Sequence, residues 1–264
     1  MNSKAEKLAA FGRLLDIMDT LRRDCPWDRK QTFESLRHLT IEEMYELGDA
    51  ILEGNRTEIK KELGDLLLHI VFYAKLGSEE QAFDIADVAH EISEKLIYRH
   101  PHIYGDVKVK DESEVKKNWE ALKLKEGKKT VLGGVPKGLP SLVKAQRIQD
   151  KAAGVGFDWE TAEDVWDKVK EEIDEFHDEV LKGDAKKSEE EFGDVLFSLI
   201  NYARFLKINP DTALERTNQK FIKRLNYLET IAVRRGKFLS EMSIKEMETL
   251  WVEAKNQIPS SADS

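Results

Sequence analysis

The sequence predicts an all-α protein built from two tandem copies of one helical unit. Three observations carry this. Apolar residues recur at helical rather than alternating spacing along most of the 264 residues. Asn-Gly and Asp-Gly turns between alternating apolar runs, the usual hairpin signal, are missing. The two halves also align on each other. Glu-Glu-Met-Tyr-Glu (42–46) falls on Glu-Glu-Ile-Asp-Glu (171–175), and Glu-Leu-Gly-Asp (62–65) falls on Glu-Phe-Gly-Asp (191–194), both at an offset of 129 residues. That period is too long for a solenoid repeat and reads as a duplicated domain.

The elements follow in order. Leu8, Phe11, Leu14, Leu15, Met18 and Leu21 form a helical stripe that stops before Cys25-Pro26. Thr40 is the expected cap of a helix over 41–52, which the Gly54-Asn55 pair ends. Helices are expected over 58–76, stopped by Gly77, over 84–99, stopped by Pro101, and over 112–125. The glycine-rich stretch 127–140, with Pro136 and Pro140, is the expected linker between domains 1–126 and 141–264. Beyond it, helices are expected over 141–153, 164–181, 188–205, 210–235 and 243–256.

Composition narrows the function. The formal net charge of -9 argues against nucleic-acid binding through a broad basic surface. Acid excess is compatible with a nucleotide ligand, since a metal can bridge carboxylates and phosphates. The single cysteine, Cys25, cannot form an internal disulfide and reads as a small packing residue. The N-terminus lacks the apolar core of a signal peptide, and the most apolar stretch, 66–76, is too short to span a bilayer. A cytoplasmic protein without membrane contact is therefore expected.

The repeated acids carry the chemistry. Glu43 and Glu46 stand at i and i+3, as do Glu62 and Asp65, Glu172 and Glu175, and Glu191 and Asp194. That spacing puts each pair on one helix face. The gap of 15 residues between motifs lets the chain turn and pack antiparallel, gathering four carboxylates at one point. Gly64 and Gly193 are expected to let a partner helix or ligand come close. Oxygen ligands select a hard cation, magnesium first and manganese as its substitute. Di-iron bundles need Glu-x-x-His pairs, and here aspartate stands where that histidine would be. The plain alternative is a solvated acidic surface, which any single Glu-x-x-Glu would suit equally.

Two basic pairs follow, Lys95 with Arg99 and Lys220 with Arg224, each at i,i+4. Beside a carboxylate cluster they suit phosphate. Asn218 adds a donor where the first copy has Ser93, and Lys168 stands where the first copy has Leu39. Trp119 and Trp251 are alternatives between base stacking and helix packing. His100 and His102, flanking Pro101, are either ligands or turn residues.

The order Glu-Glu-x-x-Glu, Glu-x-x-Asp, Lys-x-x-x-Arg resembles the MazG family of nucleoside triphosphate pyrophosphohydrolases. Cys-Pro-Trp-Asp (25–28), Arg-His-Pro-His (99–102) and Val-Gly-Phe-Asp-Trp (155–159) resemble its two-domain bacterial members. The resemblance covers nearly the whole chain. It implies two four-helix-type domains, a homodimer, and magnesium-dependent conversion of a nucleoside triphosphate to monophosphate and pyrophosphate. It also implies that the C-terminal copy is the main catalytic one. The metal ligands there would be Glu172, Glu175, Glu191 and Asp194, with Glu171, Glu172 and Glu175 in the catalytic set. Substrate would meet Lys168, Asn218, Lys220, Arg224 and Trp251. Glu43, Glu46, Glu62, Asp65, Lys95 and Arg99 form the corresponding first-copy set.

Overall fold

The computed structural model describes residues 1–111, 114, 115, 118, 119, 122 and 130–258. No strand occurs among them, in agreement with the all-α expectation. The chain divides into two compact units, Met1–Glu112 and Ser113–Ser264.

The first unit holds α1 (Lys4–Asp24), α2 (Phe33–Leu52), α3 (Arg56–Glu79), α4 (Ile85–Arg99) and the short α5 (Pro101–Tyr104). Ser3 caps α1 through a reciprocal box with Glu6, which satisfies two of the helix's orphan amides. Gly54, at φ 69°, ends α2, and Asn55 caps α3, so the two helices are joined by three residues and fold back as a hairpin. Met18 of α1, Leu36 of α2, and Val71, Phe72 and Leu76 of α3 make the core. Each such burial contributes about 1.5–3 kcal/mol. Arg22 fastens α1 to α3 by pairing with Glu79 at 2.6 Å.

Two expected boundaries are corrected. Helix α2 starts at Phe33, capped by the Thr32 and Ser35 box, not at Thr40. Thr40 lies inside it, its hydroxyl bonded to the Leu36 carbonyl at 3.0 Å, because Phe33, Leu36 and Leu39 extend the apolar face back a further two turns. Gly77 does not stop α3, which runs on to Glu79. A Cβ at Gly77 would sit 2.7 Å from the Phe83 ring, so this glycine serves close packing.

The second unit holds α6 (Ser141–Ala153), α7 (Ala162–Lys182), α8 (Ala185–Phe205), α9 (Pro210–Arg234) and α10 (Ile244–Gln257). Gly183, left-handed at φ 76°, and the cap Asp184 close the α7–α8 hairpin. Phe176 meets Phe192 and Trp166 meets Tyr202 across it, while Val165, Val169, Val195 and Ile200 are buried. Helices α9 and α10 share a separate core of Leu228, Ala232, Met242, Leu250 and Ala254. Residues 130–140 run as turns into α6, and the Val131 carbonyl accepts from the buried Lys151 ammonium at 3.2 Å. The expected helix over 112–125 and the start of the expected linker, 127–129, lie largely outside the described residues.

Candidate metal centre

Each hairpin brings its two acid motifs together. In the first unit, α2 supplies Glu43 and Glu46 and α3 supplies Glu62, with one carboxylate oxygen of each within 4.8 Å of the others. Glu62 is only 3% exposed. One of its oxygens accepts from Lys61 at 2.9 Å, and the other, Oε2, is buried with no hydrogen-bond partner. An unpartnered buried carboxylate oxygen costs about 1–3 kcal/mol or more, so its persistence points to a ligand position. Burial, and then the charges of Asp65, Glu46, Glu62 and Glu42, push the Glu43 carboxyl above the ordinary range.

The second unit repeats the arrangement with Glu172 and Glu175 of α7 and Glu191 of α8, again within 4.8 Å. Glu172 is the buried member. Burial, followed by the charges of Glu175, Asp194 and Glu172, raises the Glu191 carboxyl. Carboxylates crowded together from two helices repel one another, a poor resting arrangement and a good one for a hard divalent cation. The donor set, all oxygen, fits magnesium or manganese. Asp65 and Asp194 stand outside the two close triads but near enough for their charges to act on them.

The cation beside each triad differs. Lys168, one turn before Glu172 on α7, donates to Glu171 at 2.7 Å and reaches Glu172 at 2.9 Å. Those two carboxylates, Glu171 first, hold its ammonium well above the ordinary lysine range. Leu39, its counterpart in the repeat, packs against the first unit's core instead. There Lys61, the neighbour of Glu62 on α3, pairs with the buried acid.

The downstream residues have local partners of their own. Arg224 of α9 donates to the Ile258 carbonyl at 3.3 Å, and its Nε is buried without a partner. Lys220 is half-buried one turn before it. Asn218 bonds Glu215 on its own helix at 3.2 Å. Trp251 packs on Phe221, ring centroids 5.1 Å apart, against the α9–α10 core. In the first unit Lys95 sits 3.8 Å from Glu91, and Arg99 ends α4. Ser93 bonds the Ala89 carbonyl. His100 and His102 lie ring to ring at 5.6 Å, and the His100 Nδ1 is 2.6 Å from the Leu96 carbonyl oxygen, closing the end of α4. Gly64 and Gly193 are not needed for helix contact: a Cβ at either would meet nothing within 4 Å.

Two features were not read from the sequence. In the first unit the Thr40 hydroxyl joins His69 Nδ1 at 2.6 Å and the Tyr73 hydroxyl at 2.8 Å, a polar network beside Asp65. Its counterparts in the repeat are Val169, Ser198 and Tyr202. In the second unit a cavity of about 540 Å³ opens beside α8, lined among others by Gln149, Phe157, Trp159, Phe197 and Asn201. The Val-Gly-Phe-Asp-Trp segment was the only sequence signal for it.

Comparison with known proteins agrees with this architecture. The model of the MazG nucleotide pyrophosphohydrolase domain matches residues 31–104 and 160–228, one segment per hairpin. The nucleoside triphosphate pyrophosphohydrolase of Escherichia coli K12 is 42% identical over 254 residues, spanning 93% of this chain and 97% of its own. The nucleoside triphosphate pyrophosphohydrolase/pyrophosphatase MazG of Thermotoga maritima is 43% identical over 250 residues, spanning 93% of this chain and 95% of its own. The uncharacterized protein YabN of Bacillus subtilis is 47% identical over 96% of this chain, which spans 53% of that protein. With both hairpins matched and near full-length relatives above 40% identity, this chain belongs to the MazG family.

Proposed function

We propose that this chain is a magnesium-dependent nucleoside triphosphate pyrophosphohydrolase, converting a ribo- or deoxyribonucleoside triphosphate and water to the monophosphate and pyrophosphate. The observation that carries the reading is the pair of carboxylate triads, each with a buried glutamate and donor oxygens within 4.8 Å. The family and the names of its relatives supply the reaction.

The residues would divide the work as follows. Glu172, Glu175, Glu191 and Asp194 hold magnesium in the second unit. When bound, magnesium neutralises the triphosphate and makes an attacking water more acidic. Glu171, exposed beside the triad, orients that water and takes its proton. Lys168 is already drawn to this spot by Glu171 and Glu172, and exchanges part of that pairing for a phosphate oxygen. Lys220 and Arg224 offset the charge of the departing pyrophosphate, which requires Arg224 to leave the Ile258 carbonyl. No nucleophilic side chain is needed.

The finer reading extends to biology. Broad clearance of non-standard nucleotides suits a cytoplasmic enzyme of this type. Among the described residues no helix is long and apolar enough to cross a membrane. Ile173, Leu196 and Leu199 are left exposed on α7 and α8, an apolar face that a second copy of the chain would cover. Light scattering that gives the mass of one chain would rule out the dimer.

The test is pyrophosphate release from a nucleotide panel, with and without magnesium, in ¹⁸O-labelled water. The expected result is metal-dependent release with label in the monophosphate. Label in pyrophosphate would refute attack at the α-phosphorus, and nucleotide binding without release would favour a non-catalytic sensor.

A further inference from the structure

Each acid triad keeps one lysine against its buried glutamate, and the two copies place that lysine on opposite helices of the hairpin. In the first unit Lys61 of α3 reaches Glu62 at 2.9 Å. In the second unit Lys168 of α7 reaches Glu172 at 2.9 Å. The repeat exchanges the positions: Leu39 stands where the second copy has Lys168, and Glu190 stands where the first copy has Lys61. The buried acid follows the lysine. Glu62 on α3 is 3% exposed and Glu172 on α7 is 8% exposed, while their repeat counterparts, Glu191 and Glu43, are only partly buried.

A carboxylate taken out of water needs a partner to offset the loss of its hydration. In each triad the lysine is that partner, and it offsets one of three negative charges gathered within 4.8 Å. An ammonium and a divalent cation seek the same carboxylate, and at this range their like charges repel.

The two lysines stand differently toward solvent. The Lys61 side chain is 62% exposed, and its second acid, Glu58, is 3.9 Å away, so water screens it and leaves it free to swing off. The Lys168 side chain is 32% exposed and sits between two carboxylates, 2.7 Å from Glu171 and 2.9 Å from Glu172. Those two acids, Glu171 first, hold its ammonium well above the ordinary lysine range. Glu171 lies outside the close triad. Pushed off Glu172, the ammonium therefore keeps Glu171 and turns an N–H donor outward, where an anionic phosphate oxygen can accept it. A cation at the triad frees the lysine for phosphate, and phosphate draws the lysine off the triad. Linkage makes the two effects equal in size.

We propose that Lys168 is the resident counter-cation of the second acid triad: it competes with a divalent cation for Glu172, and its transfer to a triphosphate couples metal and triphosphate binding in that unit. The proposal rests on the pyrophosphohydrolase reading above and adds the coupling between the site's two ligands.

The experiment measures Mn²⁺ binding to the full chain without nucleotide, from the electron paramagnetic resonance signal of free Mn²⁺, in a Glu43→Gln background that weakens the first triad. Lys168→Met should tighten Mn²⁺ binding about tenfold. Lys168→Arg keeps the charge, and Lys170→Met removes an equal charge paired with Asp167 at 2.7 Å; each should stay within about twofold. In steady-state pyrophosphate release at saturating magnesium, Lys168→Met should move the KM for nucleoside triphosphate the other way, upward. Damage to the fold would weaken both ligands together. Mn²⁺ binding unchanged or weaker in Lys168→Met, equal tightening in Lys170→Met, or a KM that does not rise would overturn the coupling. Should Lys168→Met lose its helical signal, the wild-type chain decides: acetylation read by mass spectrometry should label Lys168 faster once Mg²⁺ is added and leave Lys170 unchanged, and an unchanged Lys168 rate is the negative result. Failure of the underlying function looks different: the wild-type chain itself would bind no Mn²⁺ and release no pyrophosphate.

Discussion

The two hairpins are near copies in backbone and acids, yet they differ in everything around the acids. Both set a buried glutamate among two others within 4.8 Å. The second adds Lys168, paired to Glu171 and Glu172, and a cavity beside α8. The first has Leu39 in its core, Lys61 beside Glu62, and the Thr40–His69–Tyr73 network. An acid triad can thus be inherited intact while the groups around it are exchanged for packing.

The comparison can be broken from either side. Magnesium should raise the melting temperature of the whole chain, because it relieves carboxylate repulsion in the folded state alone. At a hundredfold excess over Kd the gain is about 2.7 kcal/mol per site. Glu172→Gln and Glu43→Gln should each remove part of the shift. A shift lost wholly in one variant and untouched in the other would mean a single metal site. Next in size, Thr40→Val should cost about 1–3 kcal/mol, since it strips a partner from His69 and from Tyr73, both in or near the core. Chemical denaturation reads this directly, and a neutral substitution would show that the network carries no stability. Lys168→Met should raise the KM for triphosphate about tenfold, the loss of one charge-assisted contact. An unchanged KM would place the lysine outside the substrate path.

The smallest effect concerns pH and lies away from the acids. Glu246 caps α10 through the Ser243 amide and hydroxyl and meets Lys237, which lowers its carboxyl from 4.5 to about 2. A depressed carboxylate stabilises the fold fully above its unfolded value and loses that contribution as pH falls toward the folded one. The melting difference between wild type and Glu246→Gln should therefore be constant above about pH 5 and shrink between pH 4.5 and 2. A difference that grows in acid would contradict the cap.

Much of this was legible in the sequence, and the exceptions have physical causes. The sequence reading gathers four acids at each point, and three of each four lie within 4.8 Å, because i,i+3 spacing fixes a helix face and the chain turns back between the motifs; Asp65 and Asp194 stand outside the close groups. Helix 141–153 was bounded as found, since Pro140 and Gly154 punctuate it. Thr40 misled because a threonine before an apolar run resembles a cap, whereas its hydroxyl is satisfied inside the helix by Leu36. Gly77 misled because a glycine serving close approach to Phe83 looks the same in sequence as one that ends a helix. The cavity was hidden because its walls come from residues 132 to 204, and no local pattern tells that Gln149 keeps a buried oxygen without a partner.

The central claim is that both copies can hold metal while the second performs the reaction. Its most direct test is the rate of magnesium-dependent pyrophosphate release by Glu172→Gln and Glu43→Gln, measured side by side with the wild type. The account predicts that Glu172→Gln abolishes turnover and that Glu43→Gln weakens it less. Equal loss in the two variants, or a larger loss in Glu43→Gln, would contradict it.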